Sequence, residues 1–167
     1  LFAGSVGLRK GIPYLLEALR QLKGKIPFTC KVVGNVEISH EKMLKYENVC
    51  QFTGLLPRSQ MKTVYHWANL FVFPSICEGS AMVTYEAMNW KLPIVATYNA
   101  GSIVRDGVDG YIIPIRSVEE IVQRIVEIYH RKIQYNQDEV MQYLQISQNE
   151  SYQKLKACLL NLMRSIQ

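Results

Sequence analysis

The prediction of the fold starts from residues 76–88, which read Ile-Cys-Glu-Gly-Ser-Ala-Met-Val-Thr-Tyr-Glu-Ala-Met. The apolar run before it, residues 70–74, is typical of a buried strand. Pro74 ends that strand, because proline has no amide to donate to a sheet. We expect a loop that contains Glu78 next, and then a helix with Ser80 as its N-cap. The stretch therefore predicts a strand, a loop and a helix in succession.

Glu86 is the one charged side chain in residues 81–90, and the segment is so apolar that we expect its helix to be buried on all sides. Amides of a first helical turn bind phosphate. Glu86 follows them by one turn, a distance that suits the paired hydroxyls of a ribose. We therefore expect a nucleotide diphosphate here, with Glu78 nearer the sugar beyond it. Taken singly, each acid is more simply explained as internally paired or solvated, but the two together favour a site.

The length and composition of the chain indicate one globular domain. The chain has 167 residues, 49% of them hydrophobic, and no apolar run approaches the length of a membrane span. It begins with Leu1, and we expect an excised piece of a longer protein. Residues 1–33 hold six bases against one acid, while the whole chain carries a net charge of +5. Such a segment suits phosphate-bearing partners or an anionic membrane surface. No recognised nucleic-acid motif accompanies the charge, so we expect no nucleic acid.

The four cysteines argue against zinc, since none of them form a close pair: Cys30, Cys50, Cys77 and Cys158. Reduced thiols are typical of a cytoplasmic protein. We expect that location, with peripheral contact at the inner face of a membrane as a further option. Asp106 and Asp109 lie in a glycine-containing turn, and their spacing does not suit a metal ion. We expect neither a metal nor a cofactor.

Strand-like and helix-like segments alternate along the chain. The predicted strands are residues 1–6, 27–34, 49–53, 70–74, 92–97 and 111–113. The predicted helices are residues 12–22, 37–46, 59–67, 81–90, 138–146 and 155–166, and one that starts with a capping box from Ser117 to Glu120. The alternation predicts an α/β fold, a Rossmann-like parallel sheet with helices on both faces. We expect residues 1–167 to form a single domain, with C-terminal helices from about 117.

Four loops follow predicted strands and lie where ligands bind in such sheets, beyond the carboxyl ends: residues 4–10, 54–56, 78–81 and 99–102. We expect these loops to line one edge and form one site. The first loop carries Arg9 and Lys10 among glycines, which suits an anion. Its glycines do not fit the dinucleotide fingerprint Gly-x-Gly-x-x-Gly. Taken alone, this loop is equally well explained as a flexible turn with solvated bases.

The same residues carry a family resemblance. Glu78-Gly79-Ser80-Ala81, followed by Glu86-Ala87, resembles the signature of retaining nucleotide-sugar glycosyltransferases of the GT-B fold, glycosyltransferase family 4. Lys10-Gly11-Ile12 resembles the first loop of that family. Two positions depart from its pattern, since Ser5 stands where arginine is frequent and Ser102 where glutamate is usual. The resemblance covers nearly the whole chain but only the C-terminal, donor-binding half of such an enzyme, and the N-terminal acceptor domain is absent.

The resemblance implies a hexosyl-type glycosyltransferase that moves a sugar from a nucleotide-diphosphate sugar to an acceptor hydroxyl, in the synthesis of a capsule or another surface polysaccharide. It implies that Lys10 contacts the diphosphate and Glu78 the sugar, both as catalytic groups. Glu86 would hold the ribose, and Leu55 or Leu56 would pack on the base. The donor-binding residues implied in full are Gly4, Ser5, Arg9, Lys10, Leu56, Glu78, Gly79, Ser80, Ala81, Met82, Val83 and Glu86. The partners implied are the nucleotide sugar and the missing domain, and the isolated fragment should be inactive.

Two other functions stay open from the sequence. One is a non-catalytic GT-B-like domain that serves binding or assembly, which Ser5, Ala81 and Ser102 favour. The other is a nucleotide-sugar epimerase of similar architecture, which product analysis without any acceptor would distinguish from a transferase.

Overall fold

Six short strands alternate with five α-helices in the computed structural model, which describes residues 1–131 together with Gln145, Asn149, Glu150 and Gln153. The strands are β1 (Phe2–Ala3), β2 (Lys31–Val33), β3 (Gln51–Gly54), β4 (Phe71–Phe73), β5 (Ile94–Thr97) and β6 (Gly110–Ile113). The helices are α1 (Ile12–Leu22), α2 (His40–Leu44), α3 (Arg58–Trp67), α4 (Met82–Asn89) and α5 (Val118–Arg131), and a short 3-10 helix spans Tyr98–Ala100.

The chain divides into two compact units, Leu1–Tyr135 and Asn136–Gln167, and these strands lie in the first. The helices predicted at 138–146 and 155–166 lie outside the described residues, apart from Gln145, which is helical. Cys158 also lies outside them. The extent of the domain therefore stays a prediction.

The strands form two parallel three-stranded sheets, β1-β2-β3 and β4-β5-β6. The Leu1 nitrogen donates a hydrogen bond to Leu70 O at 2.8 Å, and Val72 N donates to Leu1 O at 2.9 Å. β4 therefore lies beside β1, and the strands follow the order β3-β2-β1-β4-β5-β6. β2 and β3 lie on one side of the boundary between β1 and β4, and β5 and β6 lie on the other, so the strand order reverses there. In open α/β sheets, a ligand binds outside the carboxyl ends of the strands at this point.

Aromatic side chains fill the middle of the sheet. The rings of Phe2 and Phe73 stack with their centroids 5.7 Å apart, and Phe71 lies 6.1 Å from Phe73. Each of the three residues is at most 1% exposed. Full burial of a phenylalanine side chain contributes about 1.5–3 kcal/mol. This packing anchors β1 and β4, so the loops that follow them start from a fixed base.

The structure confirms the predicted α/β fold with a parallel, Rossmann-like sheet. α1 carries Pro13 in its first turn, where the missing amide has no helical acceptor to lose. At the start of α5, Glu120 N donates to Ser117 Oγ at 3.3 Å, as the capping box predicts. Most strands are shorter than predicted. Within the described residues, no helix has the length and apolar character needed to cross a bilayer.

α4 differs from its prediction in two respects. Its N-cap residue is Ala81 rather than Ser80, and the Ala81 amide donates to Ala100 O at 3.2 Å. The loop after β5 therefore supports the start of the helix in place of a capping side chain. The buried side of α4 consists of Thr84, Ala87 and Met88, whereas Met82 is 66% exposed. The expectation of a helix buried on all sides is wrong, because one side of α4 is exposed to solvent at Met82, Glu86 and Asn89.

Candidate functional site

The loops after β1 and β4 are joined backbone to backbone. Ile76 N donates to Arg9 O at 2.8 Å. Gly11 adopts φ +72°, and a Cβ at this position would overlap the carbonyl oxygen of Pro74. Only glycine combines this backbone conformation with so close an approach. The two loops therefore form one continuous surface at the point where the strand order reverses.

The loop after β5 joins the same surface. Glu78 N donates to Asn99 O at 2.9 Å, next to the bond between Ala81 and Ala100 described above. Gly101, at φ +59°, lies directly against the carbonyl of Gly79. Three of the four predicted loops are thus brought together.

The fourth predicted loop, residues 54–56, follows β3, which lies two strands away from β1. Gly54 O accepts a hydrogen bond from Gly34 N at 2.9 Å, and Gly34 in turn lies against the carbonyl of Gly4. Leu56 is half-buried, while Leu55 is 75% exposed. This loop lies on the same edge of the sheet as the others but further out.

A cluster of charges occupies the joined surface. Glu78 Oε1 accepts hydrogen bonds from Arg9 Nη1 at 2.9 Å and from Lys10 Nζ. The Lys10 and Glu78 side chains are 14% and 11% exposed, whereas that of Arg9 is 62% exposed. Lys10 Nζ also lies 5.4 Å from the centroid of the Phe73 ring, so the aromatic core supports it. The Arg9–Lys10–Glu78 cluster therefore combines a largely desolvated pair, Lys10 and Glu78, with a second cation, Arg9, on the solvent side.

Ser75 completes this cluster, and no pattern in the sequence points to it. Its hydroxyl lies 3.1 Å from both Glu78 Oε1 and Arg9 O, and it can donate to either. Ser75 is fully buried, and its carbonyl accepts a hydrogen bond from the Thr97 hydroxyl. Its role depends on contacts with residues far away in sequence, which a serine after a proline does not reveal.

The protonation of Glu78 follows from this environment. Burial acts to raise the pKa of its carboxyl group, but hydrogen bonds and charge from Lys10, the Ser75 hydroxyl and the charge of Arg9 together outweigh it and lower the pKa. Glu78 is therefore ionised at neutral pH and remains the acceptor for both bases.

Glu86, the second predicted acid, has a separate partner. Its Oε2 accepts a hydrogen bond from the Tyr65 hydroxyl at 2.8 Å. Tyr65 belongs to α3 and is 2% exposed, while Glu86 is exposed on α4. The sequence analysis did not identify Tyr65, which lies on a different helix and resembles an ordinary core residue.

The remaining predicted residues differ in what they offer a ligand. The Ala81 amide is already bonded to Ala100 O, whereas Met82 and Val83 lie in the first turn of α4, where amides have no acceptor within the helix. Gly79 faces open space, and Ser80 is exposed. Gly4 lies against the rings of Phe73 and Phe2, and the neighbouring Ser5 is half-buried.

The acids of the glycine-containing turn serve the structure. Asp109 is fully buried, and its carboxylate accepts hydrogen bonds from Arg105 Nη2 at 2.7 Å and Arg105 Nε at 2.8 Å. Asp106 Oδ1 accepts from Ile112 N at 2.8 Å. Among residues 1–131, no group of three or more His, Cys, Asp or Glu side chains is placed to hold a metal ion.

A cavity of about 650 Å³ lies elsewhere, at the amino ends of β2 and β3, where Lys23, Lys31 and Trp67 are among the residues that line it. This is the opposite edge of the sheet from the Arg9–Lys10–Glu78 cluster. The cavity is therefore separate from the predicted site.

The sequence matches the glycosyl transferases group 1 family over residues 1–131. The putative glycosyltransferase EpsD of Bacillus subtilis is 32% identical over 140 residues, which cover 78% of this chain and 36% of that protein. The putative colanic acid biosynthesis glycosyltransferase WcaL of Salmonella typhimurium is 26% identical over 133 residues, 71% of this chain and 33% of that protein. The chain thus spans about a third of the length of these curated relatives.

Solved structures show the same fold at low sequence identity. The C-terminal domain of LpcC, a glycosyl transferase group 1 family protein from Francisella tularensis, has a TM-score of 0.74 at 21% identity and covers 87% of this chain and 84% of that one. The pneumococcal O-GlcNAc transferase GtfA, solved with UDP and GlcNAc, has a TM-score of 0.71 at 20% identity. That match covers 92% of this chain and 34% of the GtfA chain. Anabaena HepE, solved with UDP, also has a TM-score of 0.71 at 20% identity. That match covers 93% of this chain and 48% of the HepE chain.

Proposed function

Because this chain belongs to the glycosyl transferases group 1 family, we propose that it is the donor-binding domain of a retaining GT-B enzyme of glycosyltransferase family 4. The proposed reaction moves a hexosyl group from a nucleotide-diphosphate sugar to an acceptor hydroxyl. The acceptor site would belong to an N-terminal domain of the same protein, so the chain alone should bind the nucleotide weakly and transfer nothing.

The observation that carries this proposal is the Arg9–Lys10–Glu78 cluster at the reversal point of the sheet. Sugar transfer leaves negative charge on the departing diphosphate, and fixed cations in a desolvated position stabilise such charge. Lys10 provides such a cation in the loop after β1, and the more exposed Arg9 adds a second one beside it. A diphosphate between them and the amides of Met82 and Val83 would meet donors on both sides.

The other residues take their roles from their place around that diphosphate. Glu86, one turn into α4, would accept hydrogen bonds from the ribose hydroxyls, and Leu56 would lie toward the base. Glu78 would hold the hydroxyls of the sugar. We favour a front-side mechanism in which the leaving phosphate oxygen takes the proton of the acceptor hydroxyl. The acceptor oxygen then bonds to the sugar carbon as the bond between that carbon and the phosphate oxygen breaks. The two bases can neutralise the diphosphate, so the proposal includes no metal.

The ligands and names of similar proteins support the proposed substrate class. GtfA and HepE were solved with UDP, and WcaL is named for colanic acid biosynthesis. We therefore propose a role in surface polysaccharide synthesis. We also propose a cytoplasmic location, with peripheral contact at the inner face of a membrane as a further option. UDP is the first nucleotide to test.

The test is a calorimetric or NMR titration of the chain with UDP, GDP, ADP and CDP. We expect one of them to bind with a dissociation constant at or below the millimolar range and to shift amide signals of residues 9–11 and 78–83. Lys10→Ala should weaken binding, whereas Lys23→Ala, which removes the same charge at the opposite edge of the sheet, should not. No binding to any of the four at millimolar concentration would contradict the proposal.

A further inference from the structure

Tyr65 is held by the core while its hydroxyl reaches the predicted donor site. Its ring lies 6.1 Å from that of Phe71, at an interplanar angle of 41°, and Phe71 in turn stacks on Phe73. With 2% of the residue exposed, the ring has no room to swing. The hydroxyl therefore occupies a fixed point beside α4, which a side chain on the surface would not provide.

This fixed hydroxyl donates to one oxygen of an otherwise mobile side chain. Glu86 is exposed on α4, and an exposed glutamate samples several rotamers. The hydrogen bond to Oε2 at 2.8 Å selects one of them. Burial first, and then the hydrogen bond and charge of Glu86, raise the pKa of Tyr65 well above its ordinary value. The phenol therefore stays protonated and remains a donor at every physiological pH.

We propose that Tyr65 is a positioning residue, which holds the Glu86 carboxylate in the orientation that receives the ribose hydroxyls of the donor nucleotide. The inference rests on the proposed function, since it assigns Glu86 to the ribose. A carboxylate has about four acceptor sites on its two oxygens, so the bond to Tyr65 leaves acceptors for a pair of vicinal hydroxyls. Tyr65 contacts no substrate itself and acts through Glu86 alone.

The experiment compares two ligands on two proteins. UDP and 2′,3′-dideoxy-UDP differ only in the ribose hydroxyls, and the ratio of their dissociation constants measures what those hydroxyls contribute. Wild-type chain should bind UDP more tightly. In Tyr65→Phe, the aromatic ring stays but Glu86 loses its fixed partner. Because ordering one free side chain costs affinity, we expect the ratio to fall by about threefold to tenfold. Binding of the dideoxy compound should not change.

The control is Tyr129→Phe, which removes a hydroxyl from an exposed position on α5 and should leave the ratio unchanged. If Tyr65→Phe weakens both ligands equally, Tyr65 is merely structural and the inference fails. It also fails if the variant keeps the wild-type ratio. If wild-type chain binds the two ligands equally well, Glu86 does not hold the ribose, and both this inference and that part of the proposed function are overturned.

Discussion

Replacing Glu78 by glutamine should tighten the binding of a nucleoside diphosphate. In the structure, the Glu78 carboxylate accepts hydrogen bonds from Arg9 and Lys10, the two bases that would bind the proposed diphosphate. An incoming phosphate must displace this internal anion before it can bind. Glutamine keeps the acceptor oxygen and nearly the same shape but removes the charge, so the competition is weakened while the loop geometry is preserved.

The size of the effect follows from the two hydrogen bonds. Lys10 and Arg9 stay charged in the variant, so glutamine removes only the charge–charge part of each bond, which is about 0.2–1 kcal/mol for exposed ion pairs. For the pair with Lys10 we expect about 1–1.5 kcal/mol, at or above the top of that range, because the Lys10 side chain is only 14% exposed. The Arg9 side chain is 62% exposed, so solvent screens most of its attraction to Glu78. Together we expect about 1–2 kcal/mol, which is about fivefold to thirtyfold in the dissociation constant.

Isothermal titration calorimetry with UDP, or with whichever nucleotide binds, measures this change directly. Glu41→Gln is the matched control, because it removes the same charge from an exposed pair with Lys45 on α2. Nucleotide sugar should gain less than free nucleotide does, since Glu78 also holds the sugar in the proposed complex. If Glu78→Gln binds UDP as weakly as wild type or more weakly, while Glu41→Gln is unchanged, the carboxylate organises the bases rather than competing for them.

In a full-length enzyme, Lys10→Ala should slow transfer roughly tenfold to over a hundredfold, the worth of a charge-assisted hydrogen bond in the transition state, and near-normal rates would exclude that role. Folded-state interactions lower the pKa of Glu78, so its ion pairs should stabilise the fold above the unfolded pKa of about 4.3 and cease to do so as pH falls through the folded value. The difference in melting temperature between wild type and Glu78→Gln should thus be constant near neutrality and shrink in acid, and a difference independent of pH would argue against the pairing. Gly11→Ala should cost about 2–4 kcal/mol in urea unfolding, because a Cβ would overlap Pro74. Gly24→Ala, at φ +83° with nothing within 4 Å, should cost only about 1–2 kcal/mol, and equal losses would show that the contact with Pro74 is unimportant.

Sequence patterns were sufficient where a rule connects neighbouring residues. The apolar run before Pro74 became β4, and the alternation of strands and helices gave the parallel sheet. The rule that ligands meet the carboxyl ends of parallel strands placed Lys10 and Glu78 on one edge, although 68 residues separate them. Their direct contact was not predicted, since the rule fixes an edge of the sheet and not the pairing of side chains.

Predictions failed where tertiary contacts replaced local ones. Serine is a preferred N-cap residue, which favoured Ser80. The hydrogen bond from Ala81 N to Ala100 O instead sets the start of α4 one residue later. Apolar composition likewise suggested a fully buried α4, yet composition cannot show which side the rest of the chain covers. Tyr65 was not predicted for a related reason, because its hydroxyl meets a carboxylate from another helix.

The joints between the three loops of the site are made by the main chain: Ile76 to Arg9, Glu78 to Asn99, and Ala81 to Ala100. Every amino acid except proline carries the amide that such a bond requires, and every one carries the carbonyl. Away from the glycine positions such as Gly11 and Gly101, side chains on these loops can therefore be exchanged without loss of the bonds that join the loops. Variants that differ only in these side chains should therefore keep superimposable loops while the chemistry of the exposed surface changes.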